Sequence, residues 1–63
     1  SLKFRRSIYV AKDIQAGESF TEENIRIVRP GYGLEPKYYP NIIGKVAKKS
    51  YTMGTPITFD DLI

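Results

Sequence analysis

Sixty-three residues make one small domain, and a chain of that size buries only about 60% of the surface its unfolded form exposes, which leaves little apolar material to wall a deep catalytic cleft. Histidine, cysteine and tryptophan are all absent, which excludes the usual general base near neutral pH, thiolate nucleophiles, disulfides and most transition-metal sites, and fits a cytoplasmic origin. The net charge of +3, from ten basic and seven acidic residues, is a mild excess, and no apolar run nears the ~20 residues of a membrane span, so neither nucleic acid nor membrane is an expected partner.

The N-terminus carries Lys3, Arg5 and Arg6, and a second basic group follows at Lys45, Lys48 and Lys49; both read as solvated surface. Ser1 stands where an initiator Met would, with no signal peptide ahead of it, so the start is expected to be a cut from a longer chain. Residues 7–11, Ser-Ile-Tyr-Val-Ala, are β-branched and aromatic and predict a strand. Residues 12–17 turn the chain, with Gly17 free to adopt positive φ. Residues 18–20 form a second short extended piece. Residues 21–25, Thr-Glu-Glu-Asn-Ile, predict a one-turn helix capped by Thr21, with Glu22 and Glu23 at the positive end of its dipole. Residues 26–28 are extended again. Beyond a loop, residues 38–43 predict a helical turn ended by Gly44, and residues 45–48 a strand. Residues 50–54 turn, 55–57 extend, and 58–62 cap and coil once, with Asp60 and Asp61 as dipole partners.

The final segment repeats an earlier one. A shift of 37 positions lays Ile14 on Tyr51, Gly17 on Gly54, Phe20 on Ile57, Thr21 on Thr58 and Ile25 on Leu62. Two copies are too few for a solenoid. They predict a pseudo-twofold domain, mainly β with short helical turns, whose core is Ile8, Val10, Ile14, Phe20, Ile25, Ile27, Ile42, Val46, Ile57 and Leu62. The connection between the copies is the unpaired feature. It runs over residues 29–40 and holds three of the four prolines, two of the five glycines and three of the five tyrosines. Its first residue, Arg29, precedes a proline and is therefore biased toward extended geometry. Pro30 fixes its own φ, and Gly31 and Gly33 allow close approach of backbone to a neighbour. A guanidinium on such a base offers planar donors to an amide carbonyl; the alternative is a surface arginine at a strand end. Tyr32, Tyr38 and Tyr39 either stack on a sugar face or pack the loop onto its own core.

The runs Phe4-Arg5-Arg6-Ser7, Ala11-Lys12-Asp13-Ile14 with Gly17, Thr21-Glu22-Glu23-Asn24-Ile25, Arg29-Pro30-Gly31-Tyr32-Gly33-Leu34, Ile43-Gly44-Lys45 and Gly54-Thr55-Pro56-Ile57 resemble, in order and over nearly the whole chain, the C-terminal antifreeze-like (SAF) domain of bacterial sialic acid synthases. The resemblance implies a β-clip fold over residues 7–63, with 1–6 a linker from an N-terminal (β/α)8 barrel. It implies that the barrel condenses phosphoenolpyruvate with an N-acylated amino sugar such as N-acetylmannosamine, using a divalent metal (Mn or Mg) for which this domain supplies no ligand. It also implies that the small domain swaps across a homodimer and lids the partner subunit's active site, where the arginine at the position of Arg29 contacts the sugar N-acyl group. Phe4, Arg5 and Arg6 then fall at the barrel–lid junction, as interface or as solvated linker. Products of such synthases include N-acetylneuraminate, legionaminate and pseudaminate, and the motifs do not separate them.

A free-standing binding module is the competing class. The likeness extends to type III antifreeze proteins, but Lys12, Asp13, Gln15, Glu18, Glu22 and Glu23 would break a flat apolar ice-binding plane. Assembly chaperones and sugar-acid dehydratases with SAF domains lack the Arg-Pro-Gly-Tyr-Gly-Leu run. Catalysis by the 63 residues alone is not expected.

Overall fold

The computed structural model describes residues 2–63. Two strands form by antiparallel pairing: β1 (Ser7–Val10) and β2 (Ile25–Val28), with Ser7 opposite Val28 and Val10 opposite Ile25. Every residue of β1 is buried. Strands enclosed on both faces lose the in–out alternation, and here the returning chain at Pro56 bridges Tyr9 on the side away from β2. A 3-10 helix (Pro36–Tyr38) runs into α1 (Tyr39–Ile42). It starts ahead of the expected residue 38, because proline's fixed φ suits a first turn whose N–H has no partner to lose. Gly44, at φ 91, closes the segment in the left-handed region.

The repeat is present in the hydrogen bonds as well as in the residues. Ile14 and Tyr51 bond each other in both directions, at 2.9 and 2.8 Å. These residues are equivalent under the 37-residue shift, so the pseudo-twofold axis passes between them. Around it the bonds come in related pairs. Gly17 N–H reaches the Ala47 carbonyl and Gly54 N–H the Val10 carbonyl, at 2.8 Å each; Phe20 donates to Lys45 and Ile57 to Ile8. Gly17 and Gly54 share a φ of 95 and 91. The isolated bridges Ser19–Val46 and Tyr9–Pro56 complete the set. At these positions each half therefore bonds its backbone to the other half, in addition to the pairing of β1 with β2 inside the first. The fold is a β-clip of this mainly extended, pseudo-twofold kind.

Two local expectations need correction. Residues 21–25 make a hydrogen-bonded turn with no helix assigned: Thr21 Oγ1 accepts the Glu23 and Asn24 N–H groups, and Asn24 Oδ1 accepts the Thr21 N–H. The cap chemistry is as expected, but β2 begins at Ile25 and leaves no room to propagate a helix. The copy at 58–62 does coil, as a 3-10 helix (Phe59–Asp61). Residues 45–48 are not a strand. They make a single bridge, through Val46, since turns flank both sides of the crossing.

The core holds Ile8, Val10, Ile14, Phe20, Ile25, Ile42 and Ile57 as expected, with Ile27 and Leu62 packed at its edge. Val46 is the exception, 58% exposed, while Ala47 beside it is buried. Under the repeat Ala47 is the counterpart of Val10 and is buried as Val10 is, whereas Val46 is exposed although its counterpart Tyr9 is buried. A one-residue change of parity exchanges the two faces of an extended segment. Leu34 and Tyr51 are also core. The Tyr51 ring meets Phe20 edge-on at 5.4 Å, and its hydroxyl donates to Asp61. Burial first, then the bond to Asp61 and that carboxylate's charge, push the Tyr51 phenol well above its ordinary range.

The connecting loop enters the core through Leu34. Ile8 N–H donates to Leu34, Leu34 N–H to Ile57 and Ile57 N–H to Ile8, at 3.0, 2.8 and 3.0 Å, a closed ring of three backbone bonds. Gly33 lies against this ring. A Cβ there would sit 2.3 Å from the Ile8 carbonyl oxygen, so the close approach admits no side chain.

Candidate functional site

The first turn of the connecting loop is tied down from both sides. β2 delivers the chain to Arg29, and the Arg29–Pro30 peptide is cis. The Pro30 carbonyl accepts the Tyr9 hydroxyl at 2.6 Å and the Ser7 hydroxyl at 3.0 Å. Ser7 Oγ also accepts the Gly33 N–H at 2.9 Å. From the other side, Gly31 N–H reaches the Leu2 carbonyl at 2.8 Å, and the Arg5 side chain covers Gly31. Residues 2–6 therefore lie along the loop. Ser1, the first residue of the expected linker, lies outside the described residues.

Arg29 projects from this turn and is exposed. Its Nε donates to the Phe4 carbonyl at 2.7 Å, the one hydrogen bond its guanidinium makes among the described residues. That bond holds the group through its inner nitrogen and leaves the two outer nitrogens without a hydrogen bond among the described residues. Arg29 sits on the rim of a shallow groove of about 310 Å³, with Tyr9, Val28, Pro30, Met53 and Gly54 among its lining. Val28 is 37% and Met53 70% exposed. The site is thus a positioned cation beside an open, mainly apolar trough, with donors for a carbonyl or carboxylate.

The other candidates divide. Tyr32 and Tyr38 line a second groove, of about 250 Å³, that has no lining residue in common with the first. Tyr38 meets Phe59 edge-on at 5.2 Å, and Tyr38 and Tyr39 both pack against the core. Tyr32 is the exposed member, at 64%. Glu22 and Glu23 are exposed beside the Thr21 turn. Asp61 does more than face a dipole: Oδ2 accepts the Thr58 N–H at 2.7 Å while Oδ1 accepts Tyr51. Lys12, Asp13, Glu18 and Glu23 line a polar concavity, so that face carries charge. Among the described residues no three aspartate or glutamate side chains come together as a metal-ligand group. No helix among them is long and apolar enough to cross a membrane.

Sequence reasoning did not single out Ser7 and Tyr9 as partners of the loop. The signal was present: two hydroxyl side chains two residues apart lie on one face of a strand, and Ser7 is a fully buried polar residue in an apolar run.

Comparison with known proteins agrees with this architecture. The SAF domain profile matches residues 5–63. The chain is 49% identical over 59 residues to the pseudaminic acid synthase of Helicobacter pylori, covering 94% of this chain and 17% of that protein. It is 40% identical over 47 residues to the N,N'-diacetyllegionaminic acid synthase of Campylobacter jejuni, covering 75% of this chain and 14% of that one. The crystal structure of the spore coat polysaccharide biosynthesis protein SpsE from Bacillus subtilis superposes with a TM-score of 0.82 at 35% identity, over 97% of this chain and 18% of that chain. The chain therefore spans under a fifth of the length of each of these three proteins. With its clip architecture, its two interlocked halves and a profile match across nearly all its length, the chain belongs to the SAF domain family, in the branch found in sialic-acid-synthase-like proteins.

Proposed function

We propose that this domain is the substrate lid of a nonulosonic acid synthase, and that Arg29 contacts the N-acyl group of the amino sugar. The observation that carries the reading is the state of Arg29: exposed, held at its inner nitrogen by Phe4, and set on a turn pinned to β1. A planar donor on a fixed base suits an amide carbonyl, and the apolar trough beside it suits the acyl methyl. The relative named for N,N'-diacetyllegionaminic acid synthesis carries two N-acetyl groups in the name of its product, which agrees with such a contact.

On this reading residues 1–6 lead out of a (β/α)8 barrel, and the lid closes over the barrel of a homodimer partner in the cytoplasm. The barrel condenses phosphoenolpyruvate with the sugar and supplies the ligands of the divalent metal, Mn or Mg. The 63 residues alone are not catalytic. Arginine–amide contacts of this charged kind contribute about 1.5–3 kcal/mol, or roughly 10- to 150-fold. In the synthase that carries this domain, Arg29→Ala should raise KM for the amino sugar by about that factor and leave KM for phosphoenolpyruvate unchanged. Wild-type kinetics for the sugar would remove Arg29 from the site. A free-standing ice-binding module would instead give thermal hysteresis from the 63-residue chain.

A further inference from the structure

We propose that Tyr9 and Ser7 are positioning residues for Arg29, a hydroxyl clamp that sets where the guanidinium points. This inference rests on the lid reading for its effect on substrate, and on the geometry alone for its effect on Arg29.

The two side chains project from the same face of β1, and both donate to one atom, the Pro30 carbonyl oxygen, Tyr9 at 2.6 Å and Ser7 at 3.0 Å. A carbonyl has two lone pairs, and here both are taken by side chains of β1. Ser7 Oγ then accepts the Gly33 N–H at 2.9 Å, so the clamp grips the loop at two points on either side of Tyr32. β1 is also the partner of β2, with Ser7 opposite Val28 and Tyr9 opposite Arg26. Arg29 is thus bracketed, with Val28 held by the strand pairing before it and Pro30 by the clamp after it. What remains free is the guanidinium, which finds its third support at Phe4.

Core packing does not require these hydroxyls. Tyr9 buries its ring, which phenylalanine would do equally, and the hydroxyl is the part that reaches the loop. No buried side-chain polar atom among the described residues is left without a partner, so both hydroxyls spend their hydrogen-bonding capacity on the residues that follow Arg29.

Tyr9→Phe removes one bond of the clamp and keeps the ring. In the 63-residue chain, solvent exchange of the Arg29 Nε proton, followed by NMR, should accelerate about fivefold, the size expected for loss of one neutral hydrogen bond. Exchange of the Ile14 and Tyr51 amides should stay unchanged. An unchanged Arg29 Nε proton overturns the proposal, and so does an equal loss of protection at all these sites, which would mark a merely structural role. In the synthase, Tyr9→Phe should raise KM for the amino sugar about fivefold at constant kcat, and should have no further effect in an Arg29→Ala background. Additive effects in that double variant overturn the clamp while sparing the lid reading. Faster Arg29 exchange in the Tyr9→Phe chain, combined with wild-type kinetics for Arg29→Ala, supports the clamp and overturns the lid reading.

Discussion

Replacing Gly33 by alanine attacks the point where the connecting loop meets both halves of the fold. The new Cβ would lie 2.3 Å from the Ile8 carbonyl oxygen, 3.2 Å from that of Ile57 and 3.3 Å from the Ile57 nitrogen. All three are backbone atoms of the hydrogen-bonded ring, so no side chain can swing away. Restoring ordinary contact needs a shift of about 1 Å, which takes the 3.0 Å bond from Ile57 N–H to Ile8 beyond bonding distance. Overpacking costs about 1–3 kcal/mol, and one or two broken bonds add about 1 kcal/mol each. The sum is about 2–5 kcal/mol, against about 3–9 kcal/mol for a domain of this length. Urea denaturation of the 63-residue chain, followed by circular dichroism, should show the Gly33→Ala midpoint lowered by an amount that matches this loss. Gly31→Ala is the control. Its Cβ would press on the Arg5 side chain, which belongs to the exposed segment 2–6, so the loss should be about 1 kcal/mol. A Gly33→Ala variant within about 1 kcal/mol of wild type would refute the argument from close approach.

Tyr51 and Asp61 give two further tests. The folded state holds the Tyr51 phenol neutral beyond its ordinary range, so the stability it contributes is complete below the unfolded pKa of about 10 and is lost as pH rises through the higher folded value. Melting temperatures measured from pH 8 upward should fall above about pH 10, and Tyr51→Phe should flatten that alkaline limb relative to wild type. A variant whose alkaline slope matches wild type would show that Tyr51 titrates normally. Asp61→Ala removes the acceptor of both Thr58 N–H and Tyr51 and should cost about 2 kcal/mol by chemical denaturation. A loss below about 0.5 kcal/mol would mean that water replaces the carboxylate.

The repeat was legible because it rests on residues with few substitutes at their positions. Gly17 and Gly54 take left-handed φ values, and Thr21 and Thr58 open two equivalent turns closed by Asn24 and Asp61 side chains. The sequence also showed that the loop was the asymmetric element, and it singled out Arg29 as the residue to examine. It did not show what holds the loop. Ser7 and Tyr9 reach Pro30 across more than twenty residues of chain, and no local pattern encodes that meeting. Leu34 looked like loop and is core, because its burial depends on the ring with Ile8 and Ile57. Val46 and Ala47 exchanged places for a related reason: in a segment with a single bridge, here to Ser19, parity comes from the crossing and not from hydrophobicity.

The reciprocal bonding of the two halves has a consequence for how the chain folds. The mutual Ile14–Tyr51 pair closes a 37-residue loop, and the bonds from Gly54 to Val10 and from Ile57 to Ile8 close longer ones. Closure entropy must be met before any of these contacts returns stability, so this chain should fold slowly for its length. Neither half has a backbone partner set of its own at these positions. A peptide of residues 1–28 should be unstructured alone, and an equimolar mixture with residues 29–63 should recover the fold only as a complete pair. The domain is therefore a single cooperative unit, and damage to either copy of the repeat unfolds both.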